Sequence, residues 1–304
     1  MKQTVLNGSC IVCASRELEF LFRTWDRHYG IEGEYELGRC RQCGFIFLDP
    51  MLSEQQLEKL YPSGYYSYQP VLAHKSWFRK IAKRLFRMPI PTHDPAFPTP
   101  GTLLDLGCGS GEYLLKMRER GWRVFGVEPN RAAAIAGQKA GLEIFHGTLT
   151  QARLPSEFFD YVRANHSLEH MPNPHQILAE ISRILRPDGK LFVGVPNSAS
   201  VLFRLFKQYW WHLCAPVHVC GYSLRTLRLI LSRHGFRVTK TYFSSNYVSV
   251  LGSIQIFANR KKRVPADQGR LLKSPLFIPP CHIAARVLDV FKAGDTIEVI
   301  CERP

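Results

Sequence analysis

The sequence predicts an α/β fold in which a parallel, doubly wound sheet follows a small N-terminal metal-binding ribbon. Strand-like and helix-like segments alternate from residue 102 onward, beginning with "TLLDLG" and "SGEYLLKMRER". Such alternation is typical of parallel sheets that are covered by helices. A glycine-rich turn joins these first two segments, and two C-x2-C pairs precede residue 50. These three features predict the fold class.

The alternation can be followed element by element. After the glycine turn come the strand "RVFGVEP", the helix "NRAAAIAGQKA" and the strands "LEIFHG" and "FDYVRAN". The helix "PHQILAEISRIL" and the strand "GKLFVGVP" follow, and "SLRTLRLILSRHG" then runs into "FRVTKTYF". Apolar runs predict the strands, and apolar residues three or four apart predict the helices. The last segment, "TIEVICER", predicts a final strand.

Length and composition narrow the class of protein. The 304 residues suffice for one full α/β domain with smaller attachments. No apolar run approaches the roughly 20 residues that cross a bilayer. The segment "MKQTVLNGSC" lacks the apolar region of a secretory signal. We therefore expect a cytoplasmic protein.

The sharpest motif is "LLDLGCGSGE". Gly107, Gly109 and Gly111 follow a strand and open a helix, where glycines permit a tight turn and close approach of a ligand to the backbone. A dinucleotide fingerprint would require glycine where Glu112 stands. A carboxylate there would repel a pyrophosphate, so a nicotinamide site is excluded.

With Asp105, these glycines fill the D-x-G-x-G-x-G motif and resemble the class I S-adenosylmethionine-dependent methyltransferase family. The resemblance implies that Glu128, which ends the second strand, bonds both ribose hydroxyls, because a carboxylate offers two acceptor oxygens. It implies that Asp105 helps to fix the methionine amino group. Gly147 and Thr148 would line the adenine, and Asn165 would lie near the methionine end. The implied fold is a Rossmann-like sheet of seven strands with an antiparallel last strand.

The two cysteine pairs predict a structural zinc site. Each C-x2-C turn can present two thiolates, and two turns complete a tetrahedral four-cysteine site, here formed by Cys10, Cys13, Cys40 and Cys43. Free thiols are the alternative. The segment "RCRQCGFIFLDP" resembles the N-terminal zinc ribbon of a subset of these methyltransferases that includes sugar C-methyltransferases.

The tyrosine-rich segment "YPSGYYSY" also resembles that subset, in which such a stretch folds over the cofactor. The resemblance implies a cofactor contact for Tyr66, with Tyr65 and Tyr68 as further candidates. Plain aromatic packing is the alternative for each of them.

The segment "NHSLEHMPNP" resembles the family's "LEH-x-P-x-P" segment after the fourth strand. His166, Glu169 and His170 have i, i+3, i+4 spacing and would share one helical face. Three roles are open: Glu169 and His170 orient the loop, His166 or His170 acts as a general base, or the three bind a divalent metal. In ubiquinone-pathway O-methyltransferases the position of His166 is a glutamate, so this chain departs from that metal-binding pattern.

The segment "WWHLCAPVHVCGYS" at 210–223 is interpreted as a wall of the substrate pocket, because related methyltransferases carry a similar segment there. His218 is the first candidate for a general base, since a neutral imidazole can accept a hydroxyl proton near pH 7. A structural role in a turn is equally open. Metal binding by His212, Cys214, His218 and Cys220 is a weaker alternative, because their spacing is not that of a standard knuckle.

The net charge of +15 is unevenly distributed, since residues 101–198 carry +1 and residues 199–304 carry +11. The segments 74–88, 201–213 and "NRKKR" at 259–263 supply much of the excess charge, and the first two also carry aromatic residues. Three interpretations remain open: a solvated basic face over packed aromatic rings, contact with an anionic membrane surface, or binding of nucleic acid phosphates.

The sequence therefore predicts S-adenosylmethionine-dependent methyl transfer, with a zinc ribbon over 1–52 and a linking segment over 53–100. The methyltransferase domain would span 101–304, with a substrate-side insertion near 198–223 and a last strand near 296–302. The expected acceptor is a sugar on a nucleotide- or lipid-linked precursor, and peripheral membrane contact is an expected partner interaction. An RNA or protein methyltransferase and a non-catalytic binding protein are the alternatives.

Overall fold

The computed structural model describes residues 8–60, 94, 97–262, 269 and 271–303. The tyrosines of "YPSGYYSY", including Tyr66, and the basic segment 74–88 lie outside the described residues, as does most of the proline-rich linker. The chain forms two compact units. The first takes the described residues of Met1–Tyr61, Ala164–Ser182 and Leu191–Pro304, and the second those of Pro62–Arg163 and Arg183–Lys190.

A seven-stranded sheet confirms the predicted fold class. Its order is β10-β11-β8-β7-β4-β5-β6. Strands β4, β5 and β6 pair in parallel, and β10 and β11 pair antiparallel. The strands are β4 Thr102–Leu106, β5 Arg123–Glu128, β6 Glu143–His146, β7 Phe159–Asn165, β8 Leu185–Pro196, β10 Arg237–Ser244 and β11 Thr296–Glu302.

Strand β4 shows why the parallel strands form. All five of its residues are buried, as expected for a strand that is covered on both faces. Its register with β5 pairs Asp105 with Gly126 and Leu106 with Val127. The backbone N–H of Gly107 then donates to the carbonyl of Val127 at 2.8 Å. The glycine turn therefore begins at the carboxyl ends of these two strands.

Two helices of the second unit follow the sequence prediction. Helix α2 spans Glu112–Arg118 and buries Leu114 and Met117, three positions apart. Helix α3 spans Arg131–Lys139, and Asn130 caps it by accepting a hydrogen bond from the Ala133 N–H.

A second, smaller sheet belongs to the first unit and has the order β1-β2-β3-β9. Its strands are β1 Leu18–Thr24, β2 Tyr35–Cys40, β3 Ile46–Asp49 and β9 Cys220–Gly221. Phe47 on β3 pairs with Cys220 on β9. The segment 210–223 is therefore attached to the cysteine-bearing sheet, a pairing that sequence analysis did not predict.

The helices of the first unit include three that enclose a separate apolar cluster. The helices are α1 Glu54–Leu60, α4 Pro174–Ile184, α5 Val201–Phe206, α6 Leu224–Arg233, α7 Tyr247–Ala258 and α8 Ile278–Val290, and the cluster lies among α5, α7 and α8. Trp210 is buried in the cluster, and Phe203 and Phe206 pack against it. Aromatic residues of the predicted basic segment 201–213 are therefore core residues. Among the described residues, no helix is long and apolar enough to cross a membrane.

Candidate functional site

The glycine turn adopts backbone angles that favour glycine at three positions. The φ angles of Gly107, Gly109 and Gly111 are 68°, 55° and 84°, in the left-handed region that disfavours other residues. A Cβ at Gly111 would also collide with the side chain of Leu142. The turn thus presents bare backbone to any ligand at this end of the second unit.

Glu128 lies at the end of β5 and is 5% exposed. Its Oε2 accepts a hydrogen bond from the Gly109 N–H, and its Oε1 accepts one from the Asn130 N–H, both at 2.8 Å. Burial raises the pKa of Glu128, and these backbone donors oppose that shift. Each oxygen keeps a second lone pair for a hydroxyl donor. The residue therefore fits a ligand that carries two neighbouring hydroxyls.

Asp105 is buried and paired with a cation. The Nη1 of Arg163 on β7 donates to Asp105 Oδ1 at 2.9 Å. Burial raises the pKa of Asp105, and the neighbouring guanidinium opposes that shift. The Arg163 guanidinium carbon also lies 4.0 Å from the ring centroid of Tyr113 on α2. The predicted partner of a methionyl amino group therefore already has a counterion in the protein.

The remaining cofactor candidates lie at strand ends. Gly147 follows β6 with a φ of 143°, and its N–H donates to the carbonyl of Glu128 at 3.0 Å. The next N–H, that of Thr148, donates to Gln151 Oε1. Asn165 ends β7 within the first unit, where its side chain fills the space that a Cβ at Gly194 would occupy.

The prediction that His166, Glu169 and His170 share one helical face after β7 is wrong, because the backbone there is not a continuous helix. Only Leu168–His170 forms a 3-10 turn, and α4 begins later, at Pro174. His166 precedes that turn with a φ of 52°, which is strained for a residue with a Cβ. Its Nδ1 nevertheless lies 3.2 Å from Glu169 Oε1. The i, i+3, i+4 spacing predicts one helix because spacing does not reveal a residue with left-handed backbone angles.

His170 and His218 form a close pair. Their ring centroids are 4.6 Å apart with the rings nearly perpendicular. The Nδ1 of His170 lies 2.9 Å from the Val217 carbonyl oxygen, and the Nδ1 of His218 lies 2.8 Å from the His212 carbonyl oxygen. A carbonyl accepts, so the Nδ1 of His218 carries its proton and the Nε2 of His218 carries a lone pair. Burial lowers the pKa of both rings, and His170 adds to the shift of His218.

The side chains that could bind a metal ion form neither of the two sites considered from the sequence. Glu169, His170 and His218 each place one such atom within 4.8 Å of the others. Within the described residues His166 does not join this group, and Cys214 and Cys220 do not join His218. Both thiols instead lie 3.5 Å from backbone carbonyls, those of Trp211 and Met171.

The segment 210–223 contributes to a small cavity of about 30 Å³ in the first unit. Trp210, His212 and His218 line it beside Phe47 and Phe203. Burial lowers the pKa of His212 to about 3, and His212 Nε2 lies 2.9 Å from the Ser249 hydroxyl. The wall is therefore mostly apolar, with imidazole groups that are neutral at pH 7.

Four cysteines converge in the first unit as predicted. Their sulfur atoms all lie within 4.8 Å of one another, with Cys10 and Cys43 at 3.6 Å and Cys13 and Cys40 at 3.5 Å. Thiolates at about 2.3 Å from one zinc ion in a tetrahedron would be about 3.8 Å apart. The four residues fit such an ion.

The turns that carry these cysteines are held by backbone bonds. The Ala14 N–H donates to the Cys10 carbonyl, and the Gly44 N–H donates to the Cys40 carbonyl. Gly44 has a φ of 86°, which favours glycine after the second pair. Burial raises the pKa of Cys40, but hydrogen bonds from the Cys43 N–H, from the Cys13 and Cys43 thiols and from the Gln42 N–H outweigh it and bring that pKa to about 7.

A histidine that sequence analysis missed supports the first cysteine turn. His175 on α4 lies with its Nε2 2.7 Å from the Ile11 carbonyl oxygen and its Nδ1 2.7 Å from His234 Nε2. Its position near the start of a helix gave no signal of this role, because Ile11 is 164 residues away.

A comparison with known protein families decides the assignment. The family described as a methyltransferase domain matches residues 73–241. The chain belongs to this methyltransferase domain family. The class I methyltransferase fold that the glycine turn, Glu128 and the strand alternation predicted is therefore confirmed.

Two curated relatives are similar to parts of the methyltransferase domain. The C-methyltransferase NovU of Streptomyces niveus is 29% identical over 171 residues, which are 53% of this chain and 38% of NovU. A ubiquinone biosynthesis O-methyltransferase of Maricaulis maris (strain MCS10) is 34% identical over 110 residues, 34% of this chain and 43% of the relative. The chain thus spans less than half the length of these two relatives.

A solved SAM-dependent methyltransferase from Archaeoglobus fulgidus is 20% identical, with a TM-score of 0.47. The match covers 74% of this chain and 92% of that chain. Likeness at this level supports no argument about the reaction.

Sequence analysis also missed Arg163 in the second unit. It lies two residues after buried Tyr161 on β7, in the segment "FDYVRAN". A cation between buried residues of a strand is a signal that could identify it, since buried charges are paired in folded proteins.

Proposed function

We propose that the protein transfers a methyl group from S-adenosylmethionine to an acceptor. The observation that carries the proposal is the glycine turn with Glu128 bonded across it. Bound S-adenosylmethionine supplies an electrophilic methyl group on a sulfonium. The bare backbone at Gly107–Gly111 would let the cofactor approach closely, and Glu128 would accept bonds from the ribose hydroxyls. Gly147 and Thr148 would serve the adenine.

The acceptor proposed is a sugar hydroxyl or carbon on a nucleotide- or lipid-linked precursor. The segment "RCRQCGFIFLDP" resembles the zinc ribbon of sugar C-methyltransferases, and the +11 charge of residues 199–304 suits a pyrophosphate group. Incubation with S-adenosylmethionine labelled on its methyl group and a panel of such sugars tests the proposal. Transfer of label only to tRNA or to protein would favour the alternative acceptors.

The base proposed for an acceptor hydroxyl is His218. Its Nδ1–H is held by the His212 carbonyl, and its Nε2 carries the lone pair that would take the proton. His170 packs edge-on against it and would fix the ring plane. His166 is the third candidate, but its ring faces Glu169, which gives it an orienting role here.

We expect His218→Ala to lower turnover by roughly 100-fold or more, the usual contribution of a general base. The affinity for S-adenosylhomocysteine should stay unchanged. Turnover with the acceptor found in the screen and calorimetry measure these two quantities. His282→Ala on α8, outside the pocket lining, is the matched control. Full turnover in the His218 variant would show that this residue has only a structural role.

We propose that Cys10, Cys13, Cys40 and Cys43 hold one structural zinc ion. The near-tetrahedral spacing of their sulfur atoms supports this assignment. All four ligand positions would be filled by protein, so the ion would have no open position for a substrate. Its contribution would be to the stability of the cysteine-bearing sheet.

Contact with an anionic membrane surface is a second proposal for the first unit. On α8, Ile283, Val287 and Val290 recur at i, i+4 and i+7 and are exposed by 61%, 48% and 78%. Exposed Phe257 on α7, the helix that packs against α8, lies 4.7 Å from the Arg260 guanidinium. Apolar side chains with adjacent cations suit an interface of acyl chains and anionic headgroups.

We expect the protein to float with vesicles that contain phosphatidylserine and not with vesicles of phosphatidylcholine alone. Val287→Asp should abolish flotation, because a charge would enter the apolar stripe. Ile135→Asp on α3 changes an exposed apolar residue of the second unit and should float like the unaltered protein. Failure to float with anionic vesicles at low salt would contradict the membrane proposal.

A further inference from the structure

The two side chains of the ion pair beside the glycine turn differ in their exposure to solvent. The side chain of Asp105 is 2% exposed, whereas that of Arg163 is 20% exposed. Asp105 Oδ1 is already bonded to Arg163 Nη1 at 2.9 Å. A ligand that reaches this place in the second unit therefore meets the guanidinium before it meets the carboxylate.

A buried hydroxyl accompanies this cation. The ring of Tyr113 lies under the guanidinium at 4.0 Å, and burial raises the pKa of this tyrosine, so its hydroxyl keeps its proton. Among the described residues, that buried hydroxyl has no hydrogen-bond partner. A buried hydroxyl without a hydrogen bond is unfavourable. An acceptor supplied by a ligand would remove that cost.

We propose that Arg163 binds the α-carboxylate of the methionyl part of S-adenosylmethionine, with Tyr113 as a second donor. The inference rests on the proposed function. A planar guanidinium matches a carboxylate with two parallel N–H donors, which a lysine cannot reproduce. Asp105 then acts mainly as the buried counterion that orients Arg163. This role differs from the amino-group contact that the sequence resemblance implied.

Two ligands that differ only in the carboxylate test the inference. S-adenosylhomocysteine has it, and decarboxylated S-adenosylhomocysteine keeps the adenosine, thioether and amine but lacks it. We expect the unaltered protein to bind the first roughly 10- to 100-fold more tightly in calorimetry, the scale of hydrogen bonds to charged groups. Arg163→Gln should bind both with equal affinity. Arg118→Gln, an exposed arginine on α2, should discriminate like the unaltered protein.

Removing Arg163 alone leaves the Asp105 carboxylate buried without its partner, which can unfold a protein. The double variant Arg163→Gln with Asp105→Asn replaces both charges by neutral groups of similar shape. It should fold and should also fail to discriminate between the ligands. Discrimination retained in either folded variant, or absent from the unaltered protein, overturns the inference. No binding of S-adenosylhomocysteine by the unaltered protein would instead overturn the proposed function, and the inference with it.

Discussion

Replacing Cys40 with serine is expected to remove bound zinc and to unfold the cysteine-bearing sheet of the first unit. Binding of structural zinc is worth about 10–16 kcal/mol in zinc-finger peptides, as much as the usual free energy of unfolding of a domain, about 5–15 kcal/mol. The three remaining thiols would lose the ion that holds two distant turns together. Zinc content and thermal unfolding, measured on the same sample, check this result.

The loss should extend beyond the two cysteine turns. Ile11 lies inside the first turn and accepts from His175 on α4, and Phe47, four residues after Cys43, pairs with Cys220 on β9. Without zinc, the turns that position Ile11 and Phe47 lose their stabilisation. Helix α4 and the 210–223 segment should therefore be cleaved more readily by proteases.

Cys281→Ser is the matched control, because Cys281 is also buried but lies in the apolar cluster of α7 and α8. It should keep about one zinc per chain. A protein that folds with equal stability after complete chelation of zinc would contradict the structural role of the metal.

Glu128→Ala is expected to weaken binding of S-adenosylhomocysteine by about 1.5–3 kcal/mol, roughly 10- to 150-fold in the dissociation constant. Two effects act together. The ribose hydroxyls lose their acceptor, and the N–H groups of Gly109 and Asn130 lose the carboxylate that orders the turn. Calorimetric titration measures the change. Glu119→Ala, an exposed acid in the same unit, should bind like the unaltered protein.

The pH dependence gives an independent check on Glu128. Its pKa is raised by burial, so it takes up a proton at a higher pH than an ordinary glutamate. The ionised form accepts the ribose bonds, so affinity should be full well above that raised pKa and should fall as the pH decreases through it. Glu128→Gln cannot ionise and should lose this dependence. An unchanged affinity in both variants at every pH would remove Glu128 from the site.

The sequence predicted those parts of the fold that short segments determine. Apolar runs such as "TLLDL" become strands because they are buried, and three glycines at positive φ angles identify the turn without reference to distant residues. Glu128 could be predicted for the same reason, since its position follows from one strand end. The cysteines could be predicted because each C-x2-C turn is itself a local motif.

Long-range contacts and unusual backbone angles could not be predicted in this way. Arg163 and Asp105 are separated by 58 residues, and His175 and Ile11 by 164. Neither pair leaves a periodic signal. His166 was placed on a helical face because its spacing to Glu169 suits one, but its left-handed φ ends that regularity. Helix α7 is not predicted from the sequence because it is apolar on nearly all sides and lacks a distinct apolar stripe.

The central claim is that the glycine turn and Glu128 bind S-adenosylmethionine. The most direct test is calorimetric titration of the purified, zinc-assayed protein with S-adenosylhomocysteine. We predict one binding site per chain with a dissociation constant on the order of 1 μM, about −8 kcal/mol. Absence of binding in a folded, zinc-loaded sample would contradict the claim and would make a non-catalytic binding protein the leading interpretation.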